Sequence, residues 1–397
     1  MGKSVVGIFC FDGPLFKDCN GVYCSLTLTN EMFSRYFCVV DELVAIVRTF
    51  ERDKTFEELN MIPLDTTNIK VIEVENYSNP KLFLRRRKFK KKIAKIVADA
   101  DLLFARLPSV TSNLVLDVAH KIGKQYLVEV GGCAWDSYWN HGFLGKIVAP
   151  YMFVKEKINT RRASYASYVT EKFLQKRYPC NGVTTNASNV YLDLQSKTVF
   201  ERRMEKIDSS DLRKIVVGQS VNSIDVKYKG EHLFIKAIPL LEKRGFNVEY
   251  QIVGPGTGDF LLREAKKYGV SDKVKLVGTL RKDEIGAWLE RLDLYVQPSL
   301  QEGLPRSVLE AMNSSCPCIG SNIAGIPELL DNKCLFNPKK PNQIVDAISY
   351  AFSTKDNLKS IVRENGETIT KFDKVLLEKK RNDLFEKYFK NVFSNDK

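Results

Sequence analysis

Short apolar segments alternate with amphipathic stretches along nearly the whole chain, and the alternation breaks off once and starts again. Strands of a parallel sheet are buried on both faces and read as continuous apolar runs, while their crossover helices carry a single apolar stripe. The order therefore predicts α/β layers with parallel sheets, and it does so twice. In the first half, strands are expected at 5–11, 37–40, 101–106, 125–130 and 165–169; in the second, at 214–218, 248–254, 274–277, 293–297 and 317–320. Residues 181–212 lose the pattern and turn polar, which marks a connection. The expected division is a first domain over 1–195, a linker over 196–211 and a second domain over 212–371. Two domains within 397 residues each bury enough apolar surface to fold without covalent staples.

Composition narrows the class. With 44% hydrophobic and 27% charged residues the chain is neither disordered nor fibrous. No apolar run reaches the ~18 to 20 residues of a membrane span. The run at 5–11 stops at Asp12, so it reads as a buried strand rather than a signal-peptide core. Nine cysteines without framework spacing, among them Cys316 and Cys318 with no second pair, point to a reduced, cytoplasmic protein. Asp99-Ala100-Asp101 mimics a D-x-D metal motif, but it joins a helix end to a strand and is read as chance. No metal is expected. The net charge is +13, and residues 81–95 hold nine Lys or Arg and no acid. That cluster admits two readings: a contact with an anionic membrane surface, or a solvated helix face whose apolar side is Leu82, Leu84, Phe89 and Ile93. Neither a helix-turn-helix nor an aromatic RNA-binding pattern accompanies it, so no nucleic acid is expected.

Most of the chemistry lies in the second half. The expected strand at 248–254 runs into Gly254-Pro255-Gly256-Thr257-Gly258 and then a helical pattern. Such a turn lets backbone N–H groups approach a phosphate or ribose. The full G-x-G-x-x-G pattern is missing, and no acid stands at the ribose-binding distance, which argues against an NAD site. A stronger signal follows at 293–330. Pro305 suits the first helical position, where its missing N–H would have had no partner. The N–H groups of Gly303, Leu304 and Arg306 should then face an anion, helped by the helix dipole. Glu302 and Glu310 bracket that terminus; carboxylates there suit the neutral hydroxyls of a ribose and a hexose better than a phosphate.

Glu302 and Glu310, seven residues apart in the sense of E-x7-E, resemble the motif of retaining GT-B glycosyltransferases of the family-4 type. The resemblance covers the second half in order: VVGQS at 216–220, Lys229-Gly230, VGPGTG at 253–258, LVGTL at 276–280, the E-x7-E segment, GIPELL at 325–330 and LFNP at 335–338. In the first half, DLLFARLPS, LVEVGGCAWDSYWNHG, GKIVAP and YVTEKFLQKRYP resemble the acceptor domain of enzymes that build bacterial capsule, exopolysaccharide or O-antigen repeats. The resemblance implies a GT-B fold, with two Rossmann-like domains facing across a cleft and a C-terminal helix, 372–397, crossing back to the first domain.

It also implies roles. Glu302 would hold donor-sugar hydroxyls and Glu310 the ribose, and Lys229 would bind the donor diphosphate, with Glu302 and Lys229 as the catalytic pair. Many relatives have an arginine where this chain has Gln219, leaving Lys227 or Arg306 to supply a second cation. Gly254, Gly256, Thr257 and Gly278 would lie under the nucleotide and Leu280 near the base, while Ser299, Gly303, Leu304 and Pro305 shape the diphosphate and sugar pocket. On the acceptor side, Gly21 would be the glycine of the first strand-to-helix loop, and Asp136 or His141 would reach the cleft; His120 and His232 read as structural. The implied reaction moves a hexose or N-acetylhexosamine from a nucleotide sugar to a saccharide or lipid-linked acceptor, with retention and no metal. Uracil is the base the family favours, with guanine open. The rivals are a sugar-nucleotide epimerase on the same architecture, for which histidine is scarce, and a noncatalytic nucleotide-sugar-binding protein.

Overall fold

A computed structural model describes residues 4–140, 142–190 and 192–394, apart from the side chains of Pro80 and Lys282. The strands are β1 (Val6–Lys17), β2 (Tyr23–Ser25), β3 (Glu42–Glu51), β4 (Ile62–Pro63), β5 (Ile69–Val74), β6 (Leu102–Leu107), β7 (Leu127–Val130), β8 (Tyr165–Tyr168), β9 (Val183–Asn186), β10 (Lys214–Ser220), β11 (Asn247–Val253), β12 (Val274–Gly278), β13 (Leu294–Gln297), β14 (Cys318–Ser321) and β15 (Leu335–Phe336). The helices are α1 (Asn30–Ser34), α2 (Arg85–Asp99), α3 (Val110–Lys121), α4 (Ala134–Trp139), α5 (Gly142–Arg162), α6 (Phe173–Arg177), α7 (Lys197–Ser209), α8 (Glu231–Lys243), α9 (Asp259–Lys267), α10 (Lys282–Arg291), α11 (Arg306–Asn313), α12 (Pro341–Ala351), α13 (Lys355–Ile369) and α14 (Lys374–Ser394). They form two compact units, Met1–Asn189 with Glu378–Lys397, and Val190–Leu377.

In the first unit seven parallel strands pair in the order β5-β3-β1-β6-β7-β8-β9. Counted along the chain, that is the doubly wound order 3-2-1-4-5-6 with one further strand. β1 runs on past the predicted end at 11, through a register shift between Phe11 and Leu15, and its far end pairs antiparallel with β2. The predicted strand at 37–40 is instead a run of turns after α1, with Val39 and Val40 bonding back to Tyr36. Its Val39 and Val40 are buried, so the apolarity is genuine, but the strand itself is β3, which starts after Asp41. The C-terminal part of α14 belongs to this unit. Its Phe385 stacks on Tyr36 at 5.6 Å, and its Tyr388 donates to the carbonyl of Gln125 at 3.0 Å.

The second unit is a six-stranded parallel sheet in the order β12-β11-β10-β13-β14-β15, again 3-2-1-4-5-6. Its core is aliphatic with Trp288, Tyr250 and Tyr295 buried in it. The segment expected as a linker, 196–211, is α7. Its burial repeats every four residues, at Val199, Arg203 and Ile207, and one of those positions is charged, which hid the helical stripe. The Arg203 guanidinium donates to the carbonyls of Leu289 at 2.9 Å and Leu292 at 2.5 Å, which satisfies it inside the unit. Among the described residues no helix is long and apolar enough to cross a membrane.

Candidate functional site

In doubly wound sheets ligands bind outside the carboxyl ends of the strands where the order reverses. In the second unit that point lies between β10 and β13, and the motif residues gather there. Gly230 fixes the first of them. Its φ of +79° is left-handed, and a Cβ would stand 2.0 Å from the Pro298 carbonyl oxygen, so only glycine fits. The close approach sets Lys229 against the loop after β13, where Leu300 donates to the Tyr228 carbonyl at 2.8 Å. Gln219 completes the bracket. It is fully buried, its amide donates to the Lys229 carbonyl at 2.9 Å, and its own oxygen accepts from Tyr250. Gln219, which stands where many relatives have an arginine, is thus turned inward and holds the Lys229 backbone.

Lys229 Nζ lies 2.8 Å from Oε1 of Glu302, a pair whose side chains are 17% and 8% exposed. The same oxygen accepts from Ser299 Oγ at 2.7 Å and from Gln297 Nε2 at 2.9 Å. Three donors on one oxygen leave Oε2 without a partner among the described residues. Gln297 is one of the residues not singled out from the sequence. Fully buried at the end of β13, its own oxygen accepts from Tyr295 at 3.0 Å and Ser307 at 3.1 Å, which fixes the orientation of its amide. The carboxylate is therefore held by a connected network, with one oxygen spent and one available.

Beside it α11 begins. Pro305 occupies the N-cap with φ −73° and ψ 115°, and Arg306 is the first helical residue, one position later than expected. Extended ψ at Pro305 stops the helix from starting there. The N–H groups of Gly303, Leu304, Arg306 and Ser307 take no partner among the described residues, so this terminus can accept an anion. Glu310 sits one turn inside, partly exposed, its Oε1 accepting from Arg306 Nε at 2.8 Å. An exposed pair of this kind is weak, about 0.3–0.5 kcal/mol, and yields readily to a ligand hydroxyl. Arg306 thus leans along its own helix toward Glu310.

The glycine-rich turn differs from expectation. Asp225, unnoticed in the sequence, accepts from the N–H groups of Gly258 at 3.0 Å and Thr257 at 3.2 Å, and those two bonds hold its carboxyl below the usual range. Gly256, at φ +135°, would bring a Cβ to 2.6 Å from that carboxylate. Gly254 would bring one to 2.5 Å from the Val221 carbonyl. The glycines thus have an internal steric reason, and the Thr257 N–H expected to face a nucleotide is taken by Asp225. Gly278 is exposed at the end of β12, and Leu280 packs partly on the core. Lys227 is exposed and stands 4.4 Å from the Phe260 ring centroid, a cation–π contact. Glu231, next to Gly230, is buried with neither carboxyl oxygen hydrogen-bonded, and burial pushes it up to about 8. His232, its neighbour, packs against Phe260 at 5.4 Å.

The first unit places its expected residues apart. Gly21 lies in the turn between the antiparallel strands β1 and β2, not in a strand-to-helix loop, and the Asp18 carboxylate accepts from Asn20 and Val22 across that turn. Asp136 is in the first turn of α4. His141 lies outside the described residues. At this unit's reversal point, between β1 and β6, Asp12 occupies the α3 terminus, accepting from the Thr111 N–H at 3.0 Å, its hydroxyl at 2.5 Å, and the Val110 N–H. Behind it Arg106 pairs with Glu129 at 2.9 Å, both nearly buried. Among the described residues no three His, Cys, Asp or Glu side chains are grouped to hold a metal. Asp101, of the D-x-D string, accepts from the Val6 N–H at 2.9 Å.

Two doubly wound sheets, one presenting a helix terminus with unpaired N–H groups among the described residues beside an ammonium and a half-free carboxylate, define a GT-B protein. HepE of Anabaena in complex with UDP-glucose shares the fold, with a TM-score of 0.61 at 16% identity over 96% of this chain and 99% of that one. Residues 215–354 match the family described as "Glycosyl transferases group 1". CapJ of Staphylococcus aureus is 32% identical over 370 residues, 92% of this chain and 91% of that protein. The O-antigen biosynthesis glycosyltransferase WclY of Escherichia coli is 28% identical over 224 residues, 56% of each chain. The chain belongs to the group 1 glycosyltransferases.

Proposed function

We propose that the protein moves a hexose or N-acetylhexosamine from a UDP-linked donor to a saccharide acceptor carried on a lipid, with retention at the anomeric carbon, in bacterial surface polysaccharide synthesis. The observation that carries this reading is the divided carboxylate of Glu302. Lys229, Ser299 and Gln297 fix one oxygen, and the other is open beside the free N–H groups at the start of α11. An ammonium and a helix terminus suit a diphosphate; open carboxylate oxygens at Glu302 and Glu310 suit a sugar and a ribose. HepE supports the UDP-linked donor, and WclY supports the polysaccharide setting.

In this reading the acceptor hydroxyl attacks on the face the nucleotide leaves, and the departing phosphate takes its proton. Negative charge grows on the diphosphate as the bond breaks. Lys229 and the N–H groups of Gly303, Leu304 and Arg306 stabilise it without a metal, and groups already oriented need little reorganisation. Gln219 and Gly230 contribute by holding the Lys229 backbone. The lipid-linked acceptor sets the reaction at the inner face of the cell membrane.

The test is a transfer assay with UDP-hexoses and UDP-N-acetylhexosamines against lipid-linked saccharide acceptors, reading UDP release and the anomeric configuration of the product. Release only with acceptor present, and a product with the donor's anomeric configuration, is expected. An inverted product would overturn retention. Sugar isomerisation without acceptor would turn the reading to an epimerase, and donor binding with no turnover on any acceptor would leave a binding protein.

A further inference from the structure

The first unit carries a helix face whose apolar side chains stay largely exposed. On α5, Phe143, Leu144, Ile147, Tyr151, Val154 and Ile158 are between 39% and 78% exposed. At helical spacing they fall within an arc of about 100°. The opposite side, with Ala149, Met152, Glu156 and Asn159, is buried in the unit. A half-exposed helix normally turns polar groups outward, so this one departs from the amphipathic rule on its open face. The face continues inward as a cavity of about 420 Å³ between α5, α3 and the start of α2, lined by Phe83, Val110, Leu114, Tyr151 and Met152.

The charge around it is mostly basic, and Asp117, an acid in the cavity lining, is paired with Lys155 and with Lys90 at 2.6 Å. Besides the buried Glu156, every charged residue of α5 is basic: Lys146, Lys155, Lys157, Arg161 and Arg162. Next to the cavity, α2 presents Arg87, Lys88, Lys91 and Lys92 to solvent. The sequence offers Phe89 and Ile93 as the apolar side of that basic run, but α2 buries both in the unit's core. An apolar contact for those cations must come from α5 and from the exposed Phe83 and Leu84.

We propose that α5, with Phe83 and Leu84, docks the first unit on an anionic lipid bilayer, the flanking Lys and Arg side chains meeting headgroup phosphates and one acyl chain entering the cavity. Exposed aromatic and aliphatic groups flanked by cations are the composition of interfacial helices, which bind by apolar insertion and charge together. The proposal extends the lipid-linked acceptor of the function above, but its test involves no transfer, so either can fail alone.

The test uses the full chain with vesicles of phosphatidylglycerol and phosphatidylcholine. Co-sedimentation is expected with mixed vesicles, little with phosphatidylcholine alone, and a steep loss as salt rises from about 0.05 to 0.5 M, where screening shortens to a few ångströms. Replacing Ile147→Glu and Tyr151→Glu together should lower binding by at least about tenfold. Both side chains are more than half exposed, so folding should survive, and unchanged UDP affinity checks it. Lipids brominated along the chain should quench Trp139, which is 40% exposed and stacks on Trp135 at 5.0 Å. Val148→Trp, at the cavity mouth, should weaken vesicle binding severalfold; parent-strength binding would remove the cavity from the proposal. Equal binding by parent and double Glu variant would overturn it, as would a parent dimer that the same variant dissolves, which would make the face a protein interface.

Discussion

The two units share one strand order yet treat its reversal point in opposite ways. In the first, Asp12 fills the N-terminus of α3 with the protein's own carboxylate, and Arg106 and Glu129 neutralise each other behind it. In the second, the start of α11 has no internal acceptor among the described residues, Glu302 keeps one oxygen open, and Lys229 spends one contact on Glu302. Polar groups held without partners cost about 1–3 kcal/mol each if buried, so a site left in this state is stabilised when a ligand arrives. Topology supplied two crevices; the presence or absence of an internal counter-ion distinguishes them.

The largest effect is expected at Glu231, whose buried carboxyl opens α8 directly after Lys229-Gly230. Its pKa is raised above 4.5 to about 8, so its contribution to stability is full below pH 4.5 and is lost as the pH rises through 8. Denaturant unfolding of the parent and Glu231→Gln from pH 5 to 9 should show the parent losing on the order of 3–5 kcal/mol relative to the variant. Parallel pH curves would mean that the acid is neutralised by another group.

Next in size is Lys229→Ala. Its ammonium should act most strongly where charge develops, so turnover should fall by about 100-fold or more while the donor's Michaelis constant rises much less. Near-normal turnover in a folded variant would transfer the role to Arg306 or Lys227. Asp12→Ala sharpens the contrast from the other side. It removes the acceptor of three hydrogen bonds at α3 and should destabilise the first unit by about 2 kcal/mol in urea unfolding. Nucleotide affinity should not move; a parallel loss of affinity would show that the first crevice also serves the donor. The smallest binding effect is expected for Glu302→Gln, which should keep nucleotide affinity within about threefold while lowering transfer, because its open oxygen faces the sugar. Calorimetry alongside the transfer assay separates the two.

What was legible in the sequence follows from locality. The pair Glu302 and Glu310 and the dipeptide Lys229-Gly230 lie in short segments whose spacing alone carries meaning, and the structure brings Glu302 and Lys229 together. Gln219 was not legible as part of a network, because its amide is oriented by Tyr250 on a strand that only the folded sheet makes its neighbour, and Gln297 stands in an apolar run where nothing marks its amide as donating to Glu302. Asp225 was missed for the same reason as Gln219: its partners stand 32 and 33 residues away. The strands of both sheets were largely readable from apolar runs. The exceptions were β3, where the equally apolar segment just before Asp41 drew the assignment, the six-residue β5, whose apolar residues are broken by Lys70 and Glu73, and the short strands β2, β4, β9 and β15. Helix α7 was read as linker because one of its core positions is an arginine, a case in which hydrogen bonding to Leu289 and Leu292 carbonyls replaces apolarity as the reason for burial.

In the proposed function, the second unit's reversal point binds a nucleotide through the α11 terminus, with Glu310 on the ribose. Calorimetric titration of UDP and GDP into the parent, Glu310→Ala and Asp12→Ala tests it most directly. Binding is expected for the parent, with unchanged affinity for Asp12→Ala and about a tenfold or greater loss for Glu310→Ala, the size of a hydrogen bond to a charged group. A folded Glu310→Ala variant with parental affinity, or a parent that binds neither nucleotide, would contradict it.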